Sequence, residues 1–282
     1  MKKFVAFLSV IVIGLIVAIG YVKINFKDDF LSDSLAKLTS NKEEENSNIE
    51  LENLNIEANI PIFMYHWIRE DTGGYEYPEN MVKASELRKQ MEYLKENNYD
   101  VIWVSDIAGL QHYEKPVILT FDDGWKDVYY EAFPLAKELN MKICMYVITD
   151  LVGTIDYCSV EMLQEMKDSG LVEIDSHTLS HPYLDEISAE QVTSELVDSK
   201  KWFKDNLDID STVICYPSGR RNQTVLSVAK ENYKYGLLMD GDNFNYNSNT
   251  SNMYLIPRIY ARRSMSLDTY KTYCQKSYVE VN

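Results

Sequence analysis

The sequence predicts an α/β domain, specifically a distorted (β/α) barrel of about seven strands. Short apolar runs alternate with amphipathic stretches from Asn59 onward, which is typical of a parallel sheet covered by helices. The large number of runs favours a barrel over an open doubly wound sheet, and polar residues follow several runs directly. The strand candidates are Ile60–Tyr65, Val101–Val104, Val117–Phe121, Ile143–Ile148, Val172–Asp175, Thr212–Tyr216, Gly236–Met239 and Leu255–Tyr260.

The stretches between these runs carry helix signals. Ser85–Asn97, "SELRKQMEYLKEN", has helical periodicity. Ser159–Asp168 is followed by Gly170, a residue type that favours the position just after a helix. Ser188, with Gln191 three residues later, predicts a capping box at the start of "SAEQVTSELVDSKKWFKDNL". Strand followed by helix therefore repeats along the chain.

The N-terminal residues 1–23 predict a membrane anchor. Lys2 and Lys3 precede an uncharged apolar run from Phe4 to Val22, close to the ~20 residues that a helix needs to span a bilayer. Signal peptides have a shorter apolar core and a small-residue cleavage site, and no such site follows here. We expect an uncleaved signal anchor that leaves the rest of the chain outside the cell. Cleavage and secretion is the alternative.

Residues 24–58 predict a flexible tether between this anchor and a single domain at residues 59–282. The tether contains "TSNKEEENSNIELENLN", which is acidic, rich in Asn and Glu, and without a strong apolar period. The whole chain is 45% hydrophobic and 26% charged, an ordinary globular balance.

The charge and cysteine content exclude some classes of function. A formal net charge of −16 argues against nucleic acid as a partner, because phosphate binding needs Lys and Arg. None of the four cysteines forms a C-x-x-C pair, so neither a zinc ribbon nor a thioredoxin-like site is indicated. Cys144 and Cys215 lie in strand-like runs, which favours buried thiols over disulfides.

Chemistry-bearing side chains follow the predicted strands. In such barrels the functional groups collect at the C-terminal ends of the strands, so we expect these residues to converge. They are His66 after "IPIFMY", Asp122 and Asp123 after "VILTF", His177 after "LVEIDS", the turn Tyr216-Pro217-Ser218-Gly219 after "TVIC", and Arg258 within "LIPRIY".

The histidines and paired carboxylates suggest a metal site. His177 and His181 are spaced i, i+4, so on one helical turn their imidazoles would point the same way and hold one ion. One aspartate would complete a three-ligand site with open positions, and the other would stay free to take a proton from water activated by the ion. The alternative is an ordinary Asp-Asp-Gly surface turn. His112, in "GLQHYEKP", fits no site and is expected at the surface.

These motifs resemble the polysaccharide deacetylases, the NodB-homology domain or carbohydrate esterase family 4. "TFDDG" and "SHTLSH" carry the resemblance, which covers residues 59–262. It implies a distorted barrel, a divalent metal, and removal of N-acetyl groups from amino-sugar polymers. Asp122 would be the general base, and "CYPSGRRN" would supply the Tyr216 backbone N–H to the oxyanion. The metal ligands would be Asp123, His177 and His181, with zinc favoured over cobalt or nickel.

The sequence also departs from the usual family pattern. The arginine-proline-proline-tyrosine motif is absent, and no histidine follows His181 to act as the general acid. However, "FMYHWI" resembles the poly-N-acetylglucosamine (biofilm exopolysaccharide) deacetylase subgroup, in which the motif order is permuted and the acid histidine comes first. His66 then takes that role. "IPRIYAR" resembles the same subgroup, and Arg258 would hold Asp122 as a carboxylate.

The resemblance implies an extracellular, metal-dependent deacetylase that is anchored to the membrane. Its substrate would be an N-acetylglucosamine-containing polysaccharide, with poly-N-acetylglucosamine favoured and peptidoglycan or chitooligosaccharides as alternatives. A membrane-tethered glycan-binding protein without turnover is a different class of function, but it would not need complete metal-ligand and acid–base sets. Iron and oxygen chemistry on the same Asp-His-His set has no supporting feature in the sequence.

Overall fold

The computed structural model describes residues 55–282, apart from Tyr75 and Asp240. The strands are β1 (Ile56–Ile60), β2 (Ile62–Tyr65), β3 (Trp67–Ile68), β4 (Met81–Val82), β5 (Asp100–Val101), β6 (Pro116–Phe121), β7 (Ile143–Val147), β8 (Val172–Ser176), β9 (Val213–Cys215), β10 (Tyr235–Leu237), β11 (Phe244–Asn247), β12 (Ile259–Tyr260) and β13 (Tyr278–Val281). The α-helices are α1 (Ala84–Glu96), α2 (Phe133–Leu139), α3 (Val160–Asp168), α4 (Ala189–Leu207), α5 (Gln223–Asn232) and α6 (Leu267–Cys274). Shorter helical segments are Pro78–Asn80, Val104–His112, Val128–Ala132, Thr149–Leu151 and Pro217–Gly219.

The main sheet is parallel and curled, and it confirms the predicted α/β barrel with helices. Its strand order is β10-β9-β8-β7-β6-β2-β12, and β5 pairs with the first two residues of β6. Every strand predicted for the barrel corresponds to one of these strands. Because all of them are parallel, their carboxyl ends lie at one edge of the sheet, where the site residues follow.

The barrel is distorted at the segment Leu255–Tyr260, here called the closing segment, which contacts both β10 and β2. The run predicted as one strand, Leu255–Tyr260, is a strand only at Ile259–Tyr260, where it pairs with β2. Earlier in the run, Ile256 bridges Leu237 of β10. Pro257 lies between these two contacts and has no N–H to donate, so one continuous ladder is interrupted there. The segment thus touches one edge of the sheet and then the other.

A second, antiparallel sheet of order β11-β1-β13 was not predicted. Pro61 divides the predicted strand Ile60–Tyr65, so that β1 joins this small sheet and β2 joins the barrel. β1 begins at Ile56, three residues before the predicted start of the domain at residue 59. Residues 24–54 of the predicted tether lie outside the described residues.

Successive residues along each strand face alternately the covering helices and the barrel interior. Phe63, Phe121 and Met145 belong to the large apolar core that the helices cover. The other set faces inward, where Thr120 donates to the Phe63 carbonyl at 2.9 Å and Arg258 donates to the Thr120 hydroxyl at 3.0 Å. The period of two along each strand therefore separates an apolar outer layer from a partly polar interior.

Several local predictions are confirmed. Ser188 and Gln191 form the expected capping box of α4, and the Ser159 hydroxyl accepts from the Met162 N–H at the start of α3. Gly170 follows α3 with a φ of 69°, a conformation that glycine adopts at little cost. All four cysteines are buried free thiols, and His112 is exposed.

The predicted membrane span, Phe4 to Val22, lies outside the described residues. Within residues 55–282 no helix combines the length and the apolar character needed to cross a bilayer.

We expect Gly236→Ala to destabilise the fold by about 1–3 kcal/mol, the usual cost of overpacking a core. A Cβ at this position of β10 would lie 2.3 Å from the Tyr216 hydroxyl and 2.8 Å from its ring. The midpoint of urea unfolding measures the effect. Gly109→Ala is the control, because its Cβ would meet only His112 at 3.6 Å. A Gly236→Ala protein as stable as the wild type would contradict the packing.

Candidate active site

The end of β6 separates the two adjacent carboxylates. The Asp122 N–H donates to the Tyr65 carbonyl at 2.9 Å, so Asp122 continues the ladder between β6 and β2. Asp123 has a φ of 72°, which is uncommon for a residue other than glycine. The backbone therefore turns between them, and the two side chains enter different environments.

Asp122 is paired with Arg258 inside the barrel. The Arg258 Nη1 and Nη2 atoms donate to the two Asp122 carboxylate oxygens at 2.7 and 2.8 Å, and both residues are at most 2% exposed. Burial by itself would raise the pKa of Asp122, but the charge and hydrogen bonds of Arg258 outweigh it and lower that pKa. Asp122 is therefore ionised at neutral pH and can accept a proton.

Asp123 faces the two histidines. Its Oδ1 lies 3.4 Å from His177 Nε2 and 3.8 Å from His181 Nε2, while its Oδ2 accepts from the Trp125 indole N–H at 2.8 Å. Burial opposes ionisation of Asp123, but the hydrogen bond from His177 and the nearby histidines lower its pKa. One oxygen is thus fixed by Trp125, and the other points at both imidazoles.

The segment that carries the histidines is a loop, so the predicted helical turn is wrong. Thr178 and His181 have φ values of 69° and 64°. Hydrogen bonds from within the loop and from α4 hold this shape: the Thr178 hydroxyl accepts from the His181 N–H at 3.0 Å, and the Glu195 carboxylate of α4 accepts from the Leu179 and Ser180 N–H groups, each at 2.9 Å. The i, i+4 spacing brings the rings together through a turn of different geometry, with 4.7 Å between their centroids.

The contacts of His177 give its two ring nitrogens different roles. Its Nδ1 lies 2.8 Å from the Cys215 carbonyl, which only accepts, so Nδ1 carries a hydrogen, and Nε2 faces Asp123. Burial would lower the pKa of His177, but Cys215 and Asp123 raise it well above its usual value. Burial and the neighbouring His177 lower the pKa of His181 to about 4. His181 is therefore neutral at pH 7 and can donate a lone pair.

Asp123, His177 and His181 fit a divalent metal ion. One ligand atom from each lies within 4.8 Å of the others, which is the convergence that the sequence predicted. Two imidazoles and one carboxylate suit zinc, and three protein ligands leave positions open for water or substrate. The Nε2 of His177 faces a carboxylate oxygen, and a cation between these atoms would satisfy both.

A second cluster, Asp122, His177 and Cys215, also brings one ligand atom from each residue within 4.8 Å of the others, but it fits a cation less well. Both Asp122 oxygens are already held by Arg258, and the Arg258 Nη2 also lies 3.0 Å from the Cys215 sulfur. The positive charge of the guanidinium therefore opposes the binding of a second cation at this cluster.

All seven predicted site residues line one cavity of about 420 Å³. His66 is half-buried at its wall, and its Nδ1 is buried without a hydrogen-bond partner among the described residues. Sequence reasoning missed Tyr77 and Tyr183, which also line this cavity and are 60% and 50% exposed. Nothing in the local sequence distinguishes these tyrosines from the many others. The predicted residues at the cavity are His66, Asp122, Asp123, His177, His181, Tyr216 and Arg258.

The structure corrects the part expected of Tyr216. Its backbone N–H donates to the Leu237 carbonyl at 3.1 Å and is not available to an oxyanion. Its side chain is buried, with the hydroxyl 3.3 Å from the Tyr254 carbonyl. The Ser218 N–H, two residues later, makes no hydrogen bond within the described part of the chain. Ser218 has a φ of 54° and lines the cavity, so it is the better-placed donor.

We expect Arg258→Leu to destabilise the protein by about 3–5 kcal/mol at pH 7, because it leaves Asp122 as an unpaired buried carboxylate. Arg258→Leu combined with Asp122→Asn should recover part of that loss, since the remaining group is neutral. Urea unfolding of the two variants and the wild type gives the comparison. A double variant no more stable than Arg258→Leu alone would show that the ion pair is not the cause.

Comparison with known proteins agrees with this geometry. Residues 110–235 match a family model described as polysaccharide deacetylase. The chain is 30% identical over 224 residues to YxkH of Bacillus subtilis (strain 168), an inferred polysaccharide deacetylase, with 77% of each chain covered. It is 27% identical over 218 residues to the poly-β-1,6-N-acetyl-D-glucosamine N-deacetylase of Staphylococcus aureus (strain MSSA476), covering 70% of this chain and 73% of that one.

A solved structure is similar as well. The Streptococcus pyogenes deacetylase PplD, in complex with acetate, matches with a TM-score of 0.70 and 28% identity, over 77% of this chain and 98% of that one. With the 30% identity to a relative covered over 77% of its length, this similarity shows that the chain belongs to the polysaccharide deacetylase family.

Proposed function

We propose that this protein is a metal-dependent deacetylase that hydrolyses N-acetyl groups of an N-acetylglucosamine-containing polysaccharide. One observation carries the proposal: Asp123, His177 and His181 converge beside Asp122, whose charge Arg258 maintains, in a single open cavity. A cluster that only stabilised the fold would not need Asp122, an ionised carboxylate that is held apart from the three candidate metal ligands.

The proposed chemistry divides between the ion and the side chains. A divalent ion at Asp123, His177 and His181, with zinc favoured and cobalt or nickel as alternatives, would supply Lewis acidity toward water and the acetyl carbonyl. Asp122 takes the proton of the attacking water. Because Arg258 holds Asp122 through both oxygens, the carboxylate keeps its orientation during this transfer.

The remaining cavity residues act on the tetrahedral oxygen and the leaving group. The Ser218 N–H donates to the developing oxyanion, a contact that is worth about 3 kcal/mol in comparable sites. His66 gives a proton to the departing amine nitrogen. Acetate and a glucosamine residue are the products, and the amine then becomes cationic.

The substrate is proposed from the relatives and from the cavity rim. The Staphylococcus aureus relative is named for poly-β-1,6-N-acetyl-D-glucosamine, which makes that polymer the first candidate here. The exposed rings of Tyr77 and Tyr183 line the cavity and suit stacking against sugar rings. Peptidoglycan and chitooligosaccharides carry the same N-acetyl group and remain alternatives.

The location is also a proposal, because it depends on residues 1–23. Lys2 and Lys3 before the apolar run favour a single membrane anchor with the domain outside the cell, where such polysaccharides are found. Release after signal cleavage is the alternative.

We expect Asp122→Asn to lower acetate release from N-acetylglucosamine oligomers by about 10²–10⁴-fold, the usual contribution of a general base. A chelator should abolish release by the wild type, and added zinc should restore it. Asp205→Asn is the control, because this exposed carboxylate lies on α4 and, among the described residues, pairs with Lys201 alone. Wild-type rates from the Asp122→Asn protein would refute the base assignment. Glycan binding without any acetate release would favour a non-catalytic binding protein.

We expect Trp125→Phe to weaken zinc binding by about 10–100-fold, because it removes the indole hydrogen bond that orients Asp123. Calorimetric titration of the chelator-treated protein measures the affinity. Trp103→Phe is a matched control, since it also removes one indole hydrogen bond, 3.3 Å to the Leu171 carbonyl, away from the site. Equal zinc affinity in the two variants would show that Trp125 does not orient a ligand.

A further inference from the structure

A second cavity adjoins the candidate active site. It has a volume of about 590 Å³ and shares Ser218 and Met239 with the wall of the first cavity. A polymer bound with its acetyl group beside the metal ligands would therefore extend into this space. The cavity lies at the carboxyl edge of the barrel sheet, because its lining comes from residues that follow β9, β10 and β12.

The lining of this second cavity is cationic, although the chain carries a net charge of −16. It contains Arg220, Arg221 and Arg262, against one described carboxylate, Asp185. Arg220 pairs with Asp185 at 2.8 Å and with Glu186 at 2.6 Å, and these two carboxylates outweigh its single charge. The excess positive charge in the cavity therefore belongs to Arg221 and Arg262.

These two arginines have donors to spare. Arg221 uses Nη1 on the Gly219 carbonyl at 2.7 Å, and the Arg262 guanidinium lies 4.9 Å from the centroid of the Tyr260 ring. Neither forms an ion pair with a carboxylate of the described residues. The first contact is to backbone and the second is to a ring face, so both arginines are positioned without a directly paired carboxylate, although the charge of Arg262 also acts on Glu79 from a distance.

We propose that Arg221 and Arg262 form a subsite for an anionic group on the polysaccharide, close to the sugar that is deacetylated. The proposal rests on the proposed function and narrows its substrate class. The planar guanidinium matches carboxylate and phosphate oxygens through paired N–H donors, and both groups occur on polysaccharides. An N-acetylglucosamine polymer with acidic substituents or acidic neighbouring sugars would use both charges, so within the proposed substrates this inference ranks acidic polymers above the neutral homopolymer that the Staphylococcus aureus relative is named for.

The negative charge of the rest of the chain restricts where on the protein an anionic polymer can bind. An anionic polymer is repelled by a protein of net charge −16, so binding is favourable only where local positive charge offsets that field. Arginines without a directly paired carboxylate, beside the acetyl site, would therefore determine which stretch of a charged polymer enters the cavity.

The test compares three soluble tetramers with the full-length, zinc-loaded protein. The first is a neutral β-linked N-acetylglucosamine tetramer. The second alternates N-acetylglucosamine with N-acetylmuramic acid and so carries carboxylates. The third is the neutral tetramer with one phosphate monoester. Acetate release gives kcat/KM, and calorimetric binding to the Asp122→Asn protein gives Kd without turnover.

We expect the wild type to prefer at least one anionic tetramer by about tenfold at low salt, with the preference falling as salt screens the charges. Whichever of the carboxylate and phosphate tetramers is preferred identifies the source of the anion. Arg221→Gln combined with Arg262→Gln should reduce the ratio of kcat/KM for the anionic tetramer to kcat/KM for the neutral tetramer toward one. Lys201→Gln combined with Lys204→Gln removes the same charge from the exposed face of α4 and should keep the ratio.

The outcomes separate the two proposals. Equal kcat/KM and equal Kd for all three tetramers would overturn the anionic subsite and leave the deacetylase intact. Loss of the preference in the lysine control as well would also overturn it, because a general field would then be the cause. Absence of acetate release from every tetramer would refute the deacetylase. The ratio of the calorimetric Kd values for the neutral and anionic tetramers would still test the subsite.

Discussion

The buried ion pair between Arg258 and Asp122 is the interaction on which the site depends. Arg258 is 1% exposed, and its remaining donors are taken by the Leu238 carbonyl, the Thr120 hydroxyl and the Cys215 sulfur. These acceptors come from different parts of the barrel, and Arg258 itself belongs to the closing segment, Leu255–Tyr260, which contacts β10 and β2. One guanidinium thus ties the closing segment to the end of β6 and compensates the charge of Asp122. A buried charge pair of this kind is costly to break, because either partner alone would be uncompensated.

The two neighbouring carboxylates differ because their partners differ. Asp122 is held by a permanent cation, whereas Asp123 is held by a neutral indole donor and faces two imidazoles. The positive φ of Asp123 makes this possible, since it turns one side chain away from the other at the end of the strand. Each of the two like charges at the end of this hydrophobic strand therefore has its own partners, which offset the repulsion between the carboxylates. The same separation suits one carboxylate to proton transfer and the other to metal binding.

Much of the barrel and of the candidate site was predictable, because strand ends and residue types are encoded locally. Apolar runs marked the parallel strands, and the polar residues that follow them proved to line one cavity. Contacts between distant segments were not predictable. The sheet containing β11 and β13 is built from partly polar strands, "FNYN" and "YVEV", whose pairing with β1 spans almost the whole domain. Trp125 is near Asp123 in sequence, but its indole hydrogen bond depends on the turn between them.

Two local predictions failed for identifiable reasons. The spacing of His177 and His181 fits a helix, but the Glu195 carboxylate and the Thr178 hydroxyl satisfy the backbone in a loop instead. The oxyanion donor was assigned to Tyr216 by resemblance, yet the pairing of β9 with β10 extends to its N–H. In the first case a side chain from another element, Glu195, stabilises the loop, and in the second a neighbouring strand takes the N–H group. The spacing of residues along the sequence does not predict such contacts.

Anomalous diffraction at the zinc edge, from crystals of the zinc-loaded protein, tests the central claim most directly. The account predicts one strong peak about 2.0–2.2 Å from Asp123 Oδ1, His177 Nε2 and His181 Nε2, with Asp122 still held by Arg258. A peak at Cys215, or no peak beside these three atoms at saturating zinc, would contradict it.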